Sequence, residues 1–440
     1  MNIYKKTILL WLVAGLGTTA FSQETIPWSL QKCLDYAHKN NLQIQQANIR
    51  IQESELSKKQ SIAGLFPSIT ASASMGLSRQ NAQNTMNEYM SDNSVNARYN
   101  VSANMILFNG LKQYNNIKQQ ELNIASQNTN LEEIVFNTDL SIIQAYTQIA
   151  YLKEALEVLK NTLKASESQL EMATSKLKAG SISQSDHAQI AAQFSSDQYQ
   201  VIRGENQLNE QLLKLKQLLE LDMDNAFQVA DYSVEEDDIL SPLPDKRHIY
   251  EQALLNLPSS RQQEINVQSA ELDYKMATAG YFPTLSLSAS VGTGNWFDAD
   301  RDFGSQLSDN LNESINLSLS VPIFNGWQTR TSVQKARLNR ENVRLNKTTA
   351  EKELLSTIET LYNDAVAAQS QYRHALSQVE AAESSHSLVS EQFKLGLKDA
   401  VELLVSENNR TSAQENLLQC KYTAALAIRL LHYYQGQPIE

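Results

Sequence analysis

Two hydrophobic rhythms alternate along the chain. From Ser68 to Ser78 the period is two: Ile69, Ala71, Ala73, Met75 and Leu77 fall on one face, and Ser68, Thr70, Ser72, Ser74 and Gly76 on the other. The pattern returns later with Leu285, Leu287, Ala289 and Val291 set against Thr284, Ser286, Ser288 and Ser290. Downstream of each stretch lies a second apolar row, Val101, Ala103, Met105 and Leu107 in one case and Ile315, Leu317, Leu319, Val321 and Ile323 in the other. Strict alternation predicts strands with one apolar and one polar face. They are expected at about residues 66–78, 97–108, 282–293 and 313–324.

The other rhythm is helical. Residues 111–179 and 327–395 are two tracts of 69 residues with neither glycine nor proline. Those residues cost about 1 and about 3 kcal/mol relative to alanine inside a helix, so each tract predicts one unbroken rod, roughly 100 Å long at ~1.5 Å per residue. In the first, Ile149, Leu152, Leu156, Leu159, Leu163, Ser166, Leu170, Ala173 and Leu177 follow the 3-4 spacing of a coiled-coil seam. The corresponding positions of the second, Ala365, Ala368, Tyr372, Ala375, Val379, Ala382, His386, Val389 and Phe393, are smaller and more polar. The remaining faces carry Gln, Asn, Ser and Glu, as a helix that meets water on most of its circumference requires.

These features occur twice at a constant offset of 216. Phe66-Pro67 matches Phe282-Pro283, Phe108-Asn109-Gly110 matches Phe324-Asn325-Gly326, and Lys178-Ala179-Gly180 matches Lys394-Leu395-Gly396. Two copies of equal length predict two equivalent halves. Residues 23–222 form the first repeat and 246–440 the second, with a polar, irregular connector at 223–245. Each repeat reads as a short helix (28–40; 246–256), a longer polar one (42–64; 258–280), a strand pair, the rod, a glycine tip and a return helix (183–221; 399–434).

A soluble hairpin could show the same alternation. Strands of about ten residues, however, have the length of transmembrane strands. Aromatics also gather at their ends: Phe66, Tyr99 and Phe108, then Tyr281, Phe282, Trp296, Phe297, Phe324 and Trp327. That distribution suits the interfacial girdles of an outer-membrane barrel. The polar loops 79–94 and 297–311, the latter with Asp298, Asp300 and Asp302, then face the outside. Four strands are too few to close a barrel, and an open edge in lipid strands backbone polar groups. The chain must therefore oligomerise, with two copies giving eight strands and three giving twelve.

Composition narrows the setting. Lys5 and Lys6, the apolar run Ile8 to Gly15 and the Ala20-Phe21-Ser22 site form a signal peptide, residues 1–22. Its removal takes away two lysines and moves the net charge from −12 to −14. An acidic exported chain argues against nucleic-acid binding, which needs basic patches. Cys33 and Cys420 either pair, if the first helix lies beside the last, or are two idle thiols. No cysteine, histidine or carboxylate spacing suits a metal, and no nucleophile elbow, phosphate loop or dinucleotide fingerprint is present. Neither an enzyme nor a cofactor is expected.

The tandem repeat, the Phe-Pro entry to each first strand, the Phe-Asn-Gly exit from each second strand and the Lys-x-Gly tips together resemble the TolC family of outer-membrane channel proteins. The resemblance covers the whole mature chain. It implies a mainly α fold with a small transmembrane β-barrel contribution: a homotrimer with a twelve-stranded barrel on a periplasmic helical tunnel. It also implies a passive exit duct for a tripartite efflux pump or type I secretion system. The partners would then be outer-membrane lipid, a periplasmic adaptor and an inner-membrane pump.

On that basis Ala179-Gly180-Ser181 and Leu395-Gly396-Leu397 are the adaptor-docking turns. Asp186 and Glu402, each six residues past a tip glycine, contribute acidic rings to a gate, and Lys398 is the base that links to Asp186. Phe393 stands where the family often has a tyrosine, and Val405 stands in place of a second acid. The competing function is a structural coiled-coil or adhesin stalk. A stalk has no use for paired return helices.

Overall fold

A computed structural model describes residues 27–83, 89–222, 227–232, 234–297 and 301–437. The expected signal peptide, residues 1–22, lies outside them. Each repeat begins with two short helices, α1 (Leu30–Asn40) and α2 (Leu42–Ala63) in the first, α6 (Lys246–Asn256) and α7 (Pro258–Thr278) in the second. Strands β1 (Ser68–Gln83) and β2 (Tyr89–Phe108) lead into rod α3 (Lys112–Lys178), which α4 (Gln184–Leu218) follows. The second set is β3 (Thr284–Trp296), β4 (Asn312–Ser320), rod α9 (Gln328–Lys394) and α10 (Ala400–Tyr434). Both rods have 67 residues and both return helices 35.

The turn from strand into rod explains the repeated Asn-Gly. Gly110 and Leu111 have φ of 68° and 67°, and Gly326 and Trp327 have 61° and 66°. Two successive left-handed residues swing the chain from sheet to helix. The second is not glycine, at a cost of about 1–2 kcal/mol.

The four strands form one antiparallel sheet, ordered β1-β2-β3-β4, with β1 and β4 as free edges. Ile69, Val101, Val291 and Ile315 lie in the exposed apolar rows. A bulge at Ile106–Phe108 sets Phe108, rather than Leu107, opposite Leu285. The first hairpin is longer than expected: its strands continue through 79–83 and 89–94, read from the sequence as loop. The second loop is also not wholly irregular. Helix α8 (Phe303–Asp309) lies back on the sheet, where Gln306 accepts from Trp296 N–H at 2.8 Å and Thr293 Oγ1 donates to the Leu307 carbonyl at 2.7 Å. No helix among the described residues is long and apolar enough to cross a membrane.

Below the sheet, α2 packs on α3, and α7 lies between α3 and α9; further down, α4, α3, α10 and α9 lie side by side. Every position of both predicted seams is buried or half-buried. The largest core cluster sits at the waist, where Ile142, Ile143, Tyr146 and Ile149 of α3 meet Leu30 and Leu34 of α1 and Leu215 of α4. The connector is clamped there instead of hanging free. It carries helix α5 (Glu236–Leu240), whose Ile239 and Ser241 carbonyls accept from Gln369 Nε2 at 2.7 and 2.8 Å. Lys153 holds the Val229 carbonyl at 2.5 Å and Asp231 at 3.1 Å. Cys33 and Cys420 are both free and buried in separate clusters, so they do not pair.

Candidate functional site: the hairpin tips

Both rods end in the same way. Gly180 (φ 71°) donates to the Leu177 carbonyl at 3.0 Å, and Ser181 N–H reaches back to Lys176 O at 2.9 Å. Gly396 (φ 79°) and Leu397 repeat this with Phe393 O at 3.1 Å and Gln392 O at 2.9 Å. This is the Schellman closure, which satisfies terminal carbonyls through a left-handed residue. A β-carbon at either glycine would meet nothing within 4 Å, so backbone conformation, and not crowding, selects glycine. The two turns differ chemically. Leu395 and Leu397 expose bare apolar side chains, whereas Ala179 and Ser181 expose little beyond backbone.

Each return helix then starts with a capping box. Ser183 Oγ accepts from Asp186 N–H at 3.1 Å, and Asp186 Oδ2 accepts from Ser183 N–H at 3.2 Å. In the second tip Asp399 Oδ1 accepts from Glu402 N–H at 2.8 Å, and Glu402 Oε2 accepts from Asp399 N–H at 3.4 Å. Asp186 and Glu402 are thus helix-start residues as well as surface acids, and the helix dipole favours negative charge there. Lys398 does not reach Asp186 within the chain. It precedes α10 and pairs with Glu402 in that helix's first turn.

Phe393 is a buried packing residue. It lies with Ala173, Ile190, Ala400 and Leu403 in a cluster that joins the two hairpins. The polar link at this level comes from Lys176, which the sequence did not single out. Its Nζ donates to the carbonyls of Phe393 at 2.9 Å and Lys394 at 3.2 Å and lies 4.6 Å from the Phe393 ring centre. One cation from the end of α3 therefore caps the end of α9, where the helix dipole is negative.

A second polar tie lies eleven residues from each glycine. Gln169 Nε2 donates to Glu407 Oε2 at 2.6 Å, Arg410 Nη2 approaches Glu407 Oε1 at 3.4 Å, and Asp197 lies nearby. Burial raises the Glu407 carboxyl above its ordinary pKa, and Asp197 adds to the rise; Gln169 and Arg410 oppose it. His386, on the α9 seam, shares a 3.1 Å hydrogen bond with Ser406 Oγ, and burial holds its pKa below the ordinary imidazole value. Among the described residues no group of three or more His, Cys, Asp or Glu could hold a metal ion.

Known proteins share this architecture. The chain is 23% identical to outer membrane efflux protein BepC of Brucella suis, over 93% of this chain and 86% of that one. It is 23% identical to outer membrane protein TolC of Escherichia coli, over 76% of this chain and 69% of that one. The outer membrane protein VceC of Vibrio cholerae superposes with a TM-score of 0.75 at 16% identity, covering 93% of this chain and 97% of that structure. The profile of outer membrane efflux proteins matches residues 33–220 and 249–435, one segment in each repeat. The strand quartet carried on two fused helical hairpins is the fold that superposes on VceC, and the chain belongs to the outer membrane efflux protein family, the outer-membrane channels of efflux and secretion systems.

Proposed function

We propose that three copies of this chain assemble into a passive duct. Its twelve-stranded barrel crosses the outer membrane, and its helical hairpins form a periplasmic tunnel. An inner-membrane pump loads the duct through a periplasmic adaptor that docks at the tips, with Leu395-Gly396-Leu397 offering the apolar contact and Ala179-Gly180-Ser181 the polar one. The single observation that carries this reading is a sheet with two free edges on top of two fused hairpins whose glycine turns both lie at the opposite end. Edges that cannot stay unpaired in lipid demand further copies.

Asp186 and Glu402 lie beside these turns, and in a threefold assembly each supplies a ring of like charge that favours cations. Purified protein in a planar bilayer is expected to conduct with cation preference, and Glu402→Gln to lower that preference. Absence of conductance in both the native chain and Lys176→Met, which lacks the tie between the hairpins, would favour a stalk and overturn the duct.

A further inference from the structure

The 216-residue offset assigns a partner to surfaces that the chain leaves bare. In the second repeat α7 lies on α3, with Pro258 and Leu272 buried and Ile265 half-buried. The same stripe of α2 in the first repeat, Leu42, Ile49 and Leu56, is 53%, 54% and 62% exposed. The rods show the same inequality. Leu122 and Thr129 of α3 are half-buried and 5% exposed, whereas Leu338 and Leu345 at the matching positions of α9 are 71% and 59% exposed. Near the sheet, a β-carbon at Gly110 would lie 2.9 Å from the Ala279 carbonyl oxygen and 2.9 Å from Phe282 Cβ, yet one at Gly326 would meet nothing within 4 Å. The counterparts of Ala279 and Phe282 are Ala63 and Phe66, and Phe66 is exposed.

We infer that α2 of one copy docks on α9 of the next in the same way that α7 docks on α3 within the chain, with Glu53 paired to Lys335 across the junction. This rests on the oligomeric duct proposed above and names its seam. Within the chain, Gln119 of α3 donates to Ser269 of α7, and Ser126 and Gln262 exchange hydrogen bonds at 2.9 and 3.2 Å. Shifted by the repeat, the first contact becomes Lys335 to Glu53 and the second Asn342 to Gln46. Lys335 and Glu53 are exposed on their helices.

The strands obey the same rule. Val101 faces Val291 and Ala103 faces Ala289 between β2 and β3, so β4 meets the next β1 with Leu317 opposite Met75 and Leu319 opposite Ala73. Every one of those residues belongs to an apolar row, and the lipid-facing surface therefore continues across the junction without a break. The contact is head-to-tail, the kind that closes into a ring. The neutral Gln–Ser contact inside the chain and the charged Lys–Glu contact between chains also differ in kind. That difference opposes α2 taking the place of α7 on α3, where Glu53 would find Gln119 in place of a cation.

The test uses the full chain extracted in mild detergent. Lys335→Cys and Glu53→Cys are made singly and together, then treated with a short bismaleimide, with mass measured in parallel by light scattering. The double variant is expected to shift from the monomer band to covalent dimer and trimer, and neither single variant to shift. Glu53→Lys alone is expected to lower the temperature at which the oligomer survives in detergent, and Glu53→Lys with Lys335→Glu to restore it. A trimeric mass without cross-links in the double variant overturns this seam and leaves the duct standing. A monomeric mass for the native chain overturns both.

Discussion

Rods α3 and α9 are equal in length, have matching caps and end in matching turns, yet fourteen residues of α3 are buried against eight of α9. The imbalance is one of position. Rod α3 packs against α1, α2, α4, α7 and α10, while α9 packs against α6, α7 and α10 and holds the end of α5 through Gln369. Their waists nevertheless agree: Ile142 and its counterpart Ile358 are both fully buried. A repeat protein thus shows which of its surfaces are unfinished, because the finished version is present in the same chain. Low hydrophobicity in the α9 seam does not mark a weaker helix. That seam is filled within the chain, and the bare side of α9 is the face of Leu338 and Leu345.

The sharpest way to break this comparison is to cut the core of one rod and the bare face of the other. Ile142→Ala is expected to lower stability by about 2–5 kcal/mol, as for large-to-small changes at fully buried sites, measured by urea unfolding in detergent. Leu345→Ala is expected to change chain unfolding by no more than about 0.5 kcal/mol, the usual range for surface substitutions. Its effect should appear in dissociation of the oligomer instead. An equal loss of chain stability from both would refute the claim that the α9 face is open.

The tips provide a comparison in which the two repeats should behave alike. Gly180→Ala and Gly396→Ala each force a β-carbon into a left-handed residue, at a cost of about 1–2 kcal/mol. Hydrogen exchange at Ser181 and Leu397, whose amides close the turns, should quicken by similar factors. A response at only one tip would show that the other is held by something other than its turn.

The smallest expected effect distinguishes the repeats again, because Glu407 has alanine, Ala191, as its counterpart. Its pKa in the folded chain is raised, so its neutral form favours packing. That contribution is complete below the ordinary carboxylate value and fades as pH rises through the elevated one. Exchange rates in α10 near Glu407, corrected for intrinsic chemistry, should therefore slow as pH falls toward the ordinary carboxylate range, and Glu407→Gln should flatten the trend. Persistence of the full trend in that variant would refute Glu407 as its source.

The rods, the glycine turns and most of the strand rows were legible in the sequence because each depends on local rules: absent breakers, a left-handed glycine, alternation. The fourth row stops at Leu319, because β4 ends at Ser320 ahead of Pro322 and leaves Val321 and Ile323 outside the strand. The outer halves of β1 and β2 were not legible. Residues 79–83 and 89–94 carry no continuous apolar row in the sequence, and the strands pair there all the same. Helix α8 is seven residues long and depends on Asp302 at its start and on Gln306 tied to the strand, too little for periodicity to reveal. The capping boxes were readable, since Ser183 with Asp186 and Asp399 with Glu402 have the required spacing. Lys176 was not, because its acceptors are carbonyls 217 and 218 residues away.

The unbroken 67-residue rods also act as a phase gauge. Each residue advances a helix by about 100°, so inserting one anywhere in α3 would leave the sheet end in place and turn the entire tip to face a different neighbour. An insertion of seven would restore the facing and add only about 10 Å. Such a duct can change its reach in whole heptads, provided both repeats change together, but it cannot drift by single residues.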